Sequence, residues 1–185
     1  MHSSFEPNWF IALPISAQDW FDRLVSTPPA GLQRFHSDDL HLTVAFLGGC
    51  GEAKARAAWA ALRWPLGVVQ ATLGNVVPMG APQRYSALSA ELIDERTQVE
   101  AAMSQCRDVL FDEAGAAPET RPAKAHVTVA RPSRKASASD RAAGLRWASG
   151  LALRGQPVTL GTIALFTAAE DRSARRYWIV ERLAL

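Results

Sequence analysis

Two histidines stand in nearly identical frames. His41-Leu42-Thr43-Val44-Ala45-Phe46 and His126-Val127-Thr128-Val129-Ala130-Arg131 lie 126 − 41 = 85 positions apart and share His, Thr, Val and Ala at four of six places. Both frames are apolar and β-branched with period-2 character, which predicts a strand. On a strand, residues i and i+2 share a face about 6.6–6.8 Å apart. His41 therefore goes with Thr43, and His126 with Thr128. Leu42, Val44 and Phe46 in the first copy, and Val127 and Val129 in the second, form the opposite, core-facing side. One His-x-Thr alone reads as a satisfied histidine on a strand. Two copies, each after a polar loop and each before a helix, offer two imidazoles and two hydroxyls.

That set suits phosphate-ester cleavage by general acid–base catalysis. Histidine titrates near pH 6.5, so one ring can be neutral while the other is protonated. The neutral ring takes a proton from water and the charged ring protonates the leaving oxygen, each role being worth about 10²–10⁴-fold. Threonine hydroxyls can donate to the non-bridging oxygens, where charge builds in the transition state. A metal would need a third ligand nearby, and neither a His-x-His nor a His-x-x-x-His pattern supplies one. No metal and no cofactor is expected.

The other candidates are weaker. His2 falls in a terminal segment and His36 in a polar loop. Arg131 follows His126 by five places and on a regular strand points away from it, which makes a salt bridge as good a role as phosphate contact. Two arginine-rich stretches (Arg131, Arg134, Lys135 and Arg172, Arg175, Arg176) can hold an RNA backbone or be solvated loops. Most Trp and Phe residues sit in core-like patterns, which leaves few for stacking a base.

The surrounding elements alternate. Residues 8–13 form a buried strand stopped by Pro14, and 16–26 an amphipathic helix ended by Pro28-Pro29. A loop over 28–40 leads into the first His-x-Thr strand. A helix at 52–63 and a strand at 68–77 follow. Pro78 to Pro82 is the boundary between halves. Then come a strand at 84–92, a long helix at 94–114, the second His-x-Thr strand, and a helix at 139–149. A strand over 157–166 changes phase near Gly161, which suggests a bulge, and a last strand spans 177–185. The order is β-α-β-α-β twice over, plus a terminal strand. This is an internally duplicated α+β chain whose two lobes face each other across a cleft, with one histidine on each wall.

At 185 residues, 48% hydrophobic and 21% charged, the chain can fill one core. Its net charge of +2 implies a local basic patch and not a basic surface. Cys50 and Cys106 are isolated, so no disulfide framework or zinc site is indicated. No apolar run reaches the length of a membrane span, and residues 1–7 lack a leader pattern, so a cytoplasmic setting is expected.

The paired motif resembles that of the two-histidine phosphoesterase superfamily. The chain is most similar to the RNA 2′,3′-cyclic phosphodiesterases, also called 2′-5′ RNA ligases, of LigT-like fold. The resemblance rests on Trp9 to Pro14, Leu40 to Gly48, Ala125 to Pro132, and the closing stretch from Leu165-Phe166 to Tyr177. It implies a monomeric, metal-independent enzyme with His41 and His126 catalytic and Thr43, Thr128 and Arg131 binding substrate. The implied substrates are RNA ends or small nucleotides carrying a 2′,3′-cyclic phosphate, opened to a 2′-phosphate. His41 would protonate the leaving 3′ oxygen and His126 would activate water. The alternatives are a 2′-5′ RNA ligase, a 2′-5′ oligonucleotide phosphodiesterase, or a non-catalytic RNA-binding module.

Overall fold

The computed structural model describes residues 6–171 and 175–185; His2 and Arg172 lie outside them. The elements are β1 (Trp9–Pro14), α1 (Phe21–Leu24), β2 (Leu32–Arg34), β3 (His41–Gly48), α2 (Glu52–Ala61), β4 (Val69–Met79), β5 (Ala87–Leu92), α3 (Arg96–Ala114), β6 (His126–Pro132), α4 (Ala138–Ser149), β7 (Pro157–Leu160), β8 (Thr162–Ala168) and β9 (Tyr177–Ala184). The architecture is α+β, with a curled, wholly antiparallel sheet and four α-helices among the described residues. The strand order is β7-β4-β5-β6-β3-β1-β8-β9, with β2 added to β6.

The two His-x-Thr strands are neighbours at the centre of that order, joined through the pair Leu42↔Val127. The two strands, adjacent in the sheet, each bring one histidine to the same site. The halves of the sequence do not map onto the halves of the sheet. β4 crosses over to pair with β5 and β7, while β8 and β9 return to pair with β1 and with each other. The Pro78–Pro82 region closes the β4–β5 hairpin. Exchanging strands in this way buries β4 and β8 as interior strands and leaves β7 and β9 at the ends of the order.

One face of the sheet carries the main core. Leu42, Val44, Val127 and Val129 are fully buried there, in one cluster with Ala55 and Ala58 of α2 and with Val99 and Met103 of α3. A second, smaller cluster holds Phe10, Ala12, Ala164 and Phe166. Their position follows from β-alternation: Phe10 and Ala12 take the side opposite Ile11 and Leu13.

Four local expectations change. The helix at 16–26 shrinks to Phe21–Leu24, because the Trp20 indole donates to the Ser16 carbonyl and Gln18 accepts from the Ala17 amide, holding 16–20 in turns. The loop 28–40 contains β2 and a 3-10 turn at Ser37–Asp39. The phase change at Gly161 is a full strand break: β7 pairs with β4, whereas β8 pairs with β1 and β9. Finally, β3 and β6 carry matching bulges, β3 having a further one at Leu47 between Trp9↔Gly48 and Phe10↔Phe46. Ile11↔Ala45 is followed by Ala12↔Thr43, leaving Val44 extra, and Leu88↔Ala130 is followed by Ser89↔Thr128, leaving Val129 extra. These two valines are again 129 − 44 = 85 residues apart. A bulge shifts the alternation by one. Phe46 and Arg131 thereby change sides, and Phe46, expected in the core, is 56% exposed.

Candidate active site

Leu42↔Val127 fixes the site's register. Carried one residue to either side, an antiparallel pair sets His41 across from Thr128 and Thr43 across from His126. All four side chains take the face opposite Leu42 and Val127. Diagonal positions in such a pair lie about 7–8 Å apart, so two imidazoles reaching toward each other can flank one phosphate.

The same local device orients both rings. His41 Nδ1 donates to the Asp39 carbonyl at 2.7 Å, and His126 Nδ1 donates to the Lys124 carbonyl at 2.7 Å. A carbonyl only accepts, so Nδ1 carries the proton and Nε2 of the neutral ring presents its lone pair. The acceptor is in each case the residue two places before the histidine.

Beyond that shared geometry the two rings have different surroundings. His41 is wedged among Phe10 at 4.8 Å, Tyr177 at 5.3 Å and Phe166 at 5.5 Å between centroids. Burial pushes its pKa down to about 4; the Asp39 carbonyl opposes this, and the charges of Arg131 and His126 add to it. His126 pairs in register with Glu91, which is ion-paired to Lys124 at 2.5 Å and to Arg96 at 2.7 Å. Its pKa is lowered mainly by burial, and by Lys124 and Arg131, while the Lys124 carbonyl and Glu91 push it up. On the first half of the sheet the register position of Glu91 is taken by Pro14, opposite His41.

The hydroxyls differ too. Thr128 is buried and shares a 3.1 Å hydrogen bond with Ser89 Oγ. Across from Thr43 stands Ala12, so Thr43 has no such partner in its register. Arg131 joins His126 and Thr128 in the wall of a cavity of about 870 Å³, against the expectation that it points away; the bulge at Val129 turns it round. Its guanidinium lies 5.5 Å over the Phe35 ring, and Arg176 covers the same ring at 4.8 Å. Arg175 approaches Asp38 and stacks on Trp178 at 5.3 Å, while Arg134 and Lys135 are exposed. His36 is used locally, its Nδ1 accepting from the Asp38 amide at 3.3 Å. Among the described residues no group of three His, Cys, Asp or Glu side chains converges as a metal site would require, and no helix is long and apolar enough to cross a membrane.

Sequence reasoning missed Ser89, Glu91, Asp39 and the aromatic wedge. Asp39 is buried, at 2% exposure. Its carboxylate accepts from the Arg176 amide at 3.0 Å and the Tyr177 amide at 3.3 Å, while its own carbonyl holds His41. One residue thus ties the start of β9, with Tyr177, to the histidine that Tyr177 packs on. Asp39→Ala is expected to leave two part-buried amides unpaired, costing up to about 1–3 kcal/mol, and to loosen His41. Asp39→Asn retains an acceptor oxygen and should recover part of both losses. Urea midpoints measured beside turnover check this; an alanine variant of unchanged stability would refute the tie.

No protein-family model matches the chain, and no curated protein matches it. Solved structures do. Apo LigT of E. coli is 19% identical with a TM-score of 0.69, covering 97% of this chain and 98% of that one. TT0787 of Thermus thermophilus is 19% identical with a TM-score of 0.65, over 96% and 97%. Usb1 of Kluyveromyces marxianus is 12% identical with a TM-score of 0.54, over 97% and 99%. E. coli LigT has also been solved with NADP+, 3′-AMP, phosphate and ATP.

Proposed function

We propose that this chain, which has the LigT-like fold, is a metal-independent phosphodiesterase that opens 2′,3′-cyclic phosphate ends of RNA or of small nucleotides to 2′-phosphates. The observation that carries the proposal is the pair of imidazoles on one sheet face, each held by a backbone carbonyl through Nδ1 and each without a hydrogen-bond partner at Nε2 among the described residues. In this reading the cyclic phosphate sits between the rings. His126 Nε2 takes a proton from water as the oxygen attacks phosphorus, the bond from phosphorus to the 3′ oxygen breaks, and His41 Nε2 delivers a proton to that oxygen. Thr43 and Thr128 donate to the non-bridging oxygens, Ser89 fixing the Thr128 hydroxyl. Phe46 and Arg131, 85 residues apart and turned to this face by matching bulges, flank the position of the base. The nucleotides bound by E. coli LigT fit the same substrate class.

That division of labour is the one the family resemblance implies, and the surroundings make the two rings unequal. Glu91 makes His126 the better base, as a carboxylate near an imidazole does. Burial among aromatic rings disfavours protonated His41, so that ring, once charged, gives its proton up readily.

Turnover of cytidine 2′,3′-cyclic phosphate in excess EDTA is the deciding experiment, with cytidine 2′-phosphate as the expected product. Because both pKa values lie below the ordinary 6.5, kcat/KM should follow a bell on the acid side of neutrality, the required protonated His41 being lost as pH rises past about 4. Arg131 lowers both, so Arg131→Gln should move the bell upward. A 3′-phosphate product, or activity lost to EDTA and restored by a divalent ion, would overturn the proposal.

A further inference from the structure

The two matching bulges are held by different means. In β6 the extra residue is Val129, and its carbonyl accepts from the Phe35 amide at 2.9 Å. Phe35 directly follows β2, so this bond extends the β2–β6 ladder. In β3 the extra residue is Val44, and its carbonyl accepts from Arg107 Nε at 2.8 Å. A backbone amide serves one bulge, and a side chain of α3 serves the other.

The topology explains the difference. β3 and β6 pair at Leu42↔Val127. Carried further, an antiparallel register brings each strand against the loop that precedes the other. The loop before β3 contains β2, which pairs with β6. Residues 116–125, before β6, form no strand. Arg107 stands in the place a strand would take: it lines the cavity with Arg121, Pro122, Ala123 and Lys124 of that loop. Its guanidinium is half-buried and donates a charge-assisted hydrogen bond, roughly twice as strong as a neutral one.

The bulge decides which residue stands across from Phe10. With Val44 extra, Phe10 pairs with Phe46. Continued without a bulge, the Ala12↔Thr43 register would set Ile11 across from Val44 and Phe10 across from Ala45, and Phe46 would move to the core side. Phe10 packs on the His41 ring at 4.8 Å, so its cross-strand neighbour shares the reacting face. With the bulge that neighbour is an exposed phenyl ring; without it, a methyl group.

We propose that Arg107 is a positioning residue: by holding the Val44 carbonyl it keeps the β3 bulge, and through the bulge it sets Phe46 beside the reacting centre to take the nucleobase. The inference rests on the cyclic-phosphodiesterase reading and adds to it the residue that governs how strongly a nucleotide is preferred over a base-free cyclic phosphate. Arg107 itself acts only through Phe46. At β6 the same task falls to a backbone amide, which no substitution short of proline removes; at β3 a single side chain carries it.

The test compares kcat/KM on cytidine 2′,3′-cyclic phosphate with kcat/KM on the 2,3-cyclic phosphate of methyl β-ribofuranoside, which has no base. Both substrates carry the same charge, so any attraction lost with a cation cancels in the ratio, as does a general loss of folded protein. The parent ratio should be about 5–150-fold, the effect of stacking one base on an aromatic ring. Arg107→Met keeps the aliphatic stem without the donors and should bring the ratio down to that of Phe46→Ala. In the Phe46→Ala background it should lower the ratio no further, because both changes remove one contact. Arg107→Lys has a donor set differently from Nε and should fall between the parent and Arg107→Met. A folded Arg107→Met with the parent ratio, or one that slows both substrates alike, would overturn the proposal; if that variant does not fold, Arg107→Lys with the parent ratio overturns it. A parent that hydrolyses both substrates equally rejects the proposal and leaves the cyclic-phosphodiesterase reading standing, whereas a parent that hydrolyses neither rejects that reading itself.

Discussion

Replacing either His41 or His126 with alanine is expected to lower kcat/KM on a 2′,3′-cyclic substrate by about 10²–10⁴-fold while the protein stays folded. The reason for the size is that each ring supplies a proton transfer that water performs poorly. The reason for the intact fold is where the rings stand. Neither belongs to the main core, which lies on the other face with Leu42 and Val127. His126→Ala is the cleaner change, because Glu91 keeps Lys124 and Arg96 as partners when the imidazole is gone. His41→Ala also removes ring contacts with Phe10, Phe166 and Tyr177, about 0.5–1.5 kcal/mol for an aromatic pair. It relieves at the same time the desolvation that holds the His41 pKa near 4. Groups that act as one unit are not additive, so the double variant should lose little beyond the worse single one. Rates within a few fold of the parent in either alanine variant, with unchanged melting, would defeat the paired acid–base scheme.

The histidine and threonine positions were legible because duplication is visible in a sequence: an 85-residue offset needs no coordinates to be seen. The elements carrying strong periodicity were legible for a similar reason, α3 above all, whose buried Val99, Ala102, Met103, Cys106 and Leu110 follow helical spacing. What escaped was set by long-range pairing. The exchange of β4 and β8 between halves depends on which edges meet, and each strand's own pattern is the same wherever it lies. The two bulges are decided by the partner strand's register, and they reverse the side taken by Phe46 and Arg131. Ser89 and Glu91 acquire roles only by standing across from Thr128 and His126. Asp39 was in plain view two places before His41, yet its carboxylate serves amides at Arg176 and Tyr177, 137 and 138 residues away. Duplication reveals what the halves share. The differences between them, an aromatic wedge at His41 and a charged web at His126, come from strands added outside the repeated motif.

Those differences lead to a result that separates the two rings. A ribose 3′ oxygen is a poor leaving group and needs a proton as the bond to phosphorus breaks. A 4-nitrophenolate departs without one. On a nucleoside 4-nitrophenyl phosphodiester, the ring that acts as acid on the cyclic substrate has little left to do, whereas the base must still activate water. With His41 as the acid, the defect of His41→Ala should shrink by most of its roughly 10²–10⁴-fold on the nitrophenyl ester, and the defect of His126→Ala should persist. The pH profiles should diverge in step: His41→Ala on the aryl ester retains the limb in which a neutral His126 is required and loses the limb in which a protonated His41 is required. The assignment is the one the family resemblance implies; Glu91 in register with His126 and the desolvated setting of His41 make the two rings unequal enough to be told apart. Rescue of His126→Ala in place of His41→Ala would reverse the roles and leave the pair intact. Rescue of neither would show that the leaving oxygen takes its proton from another group, and the arrangement around Arg131 and Lys124 on the cavity wall would then be the place to look for it.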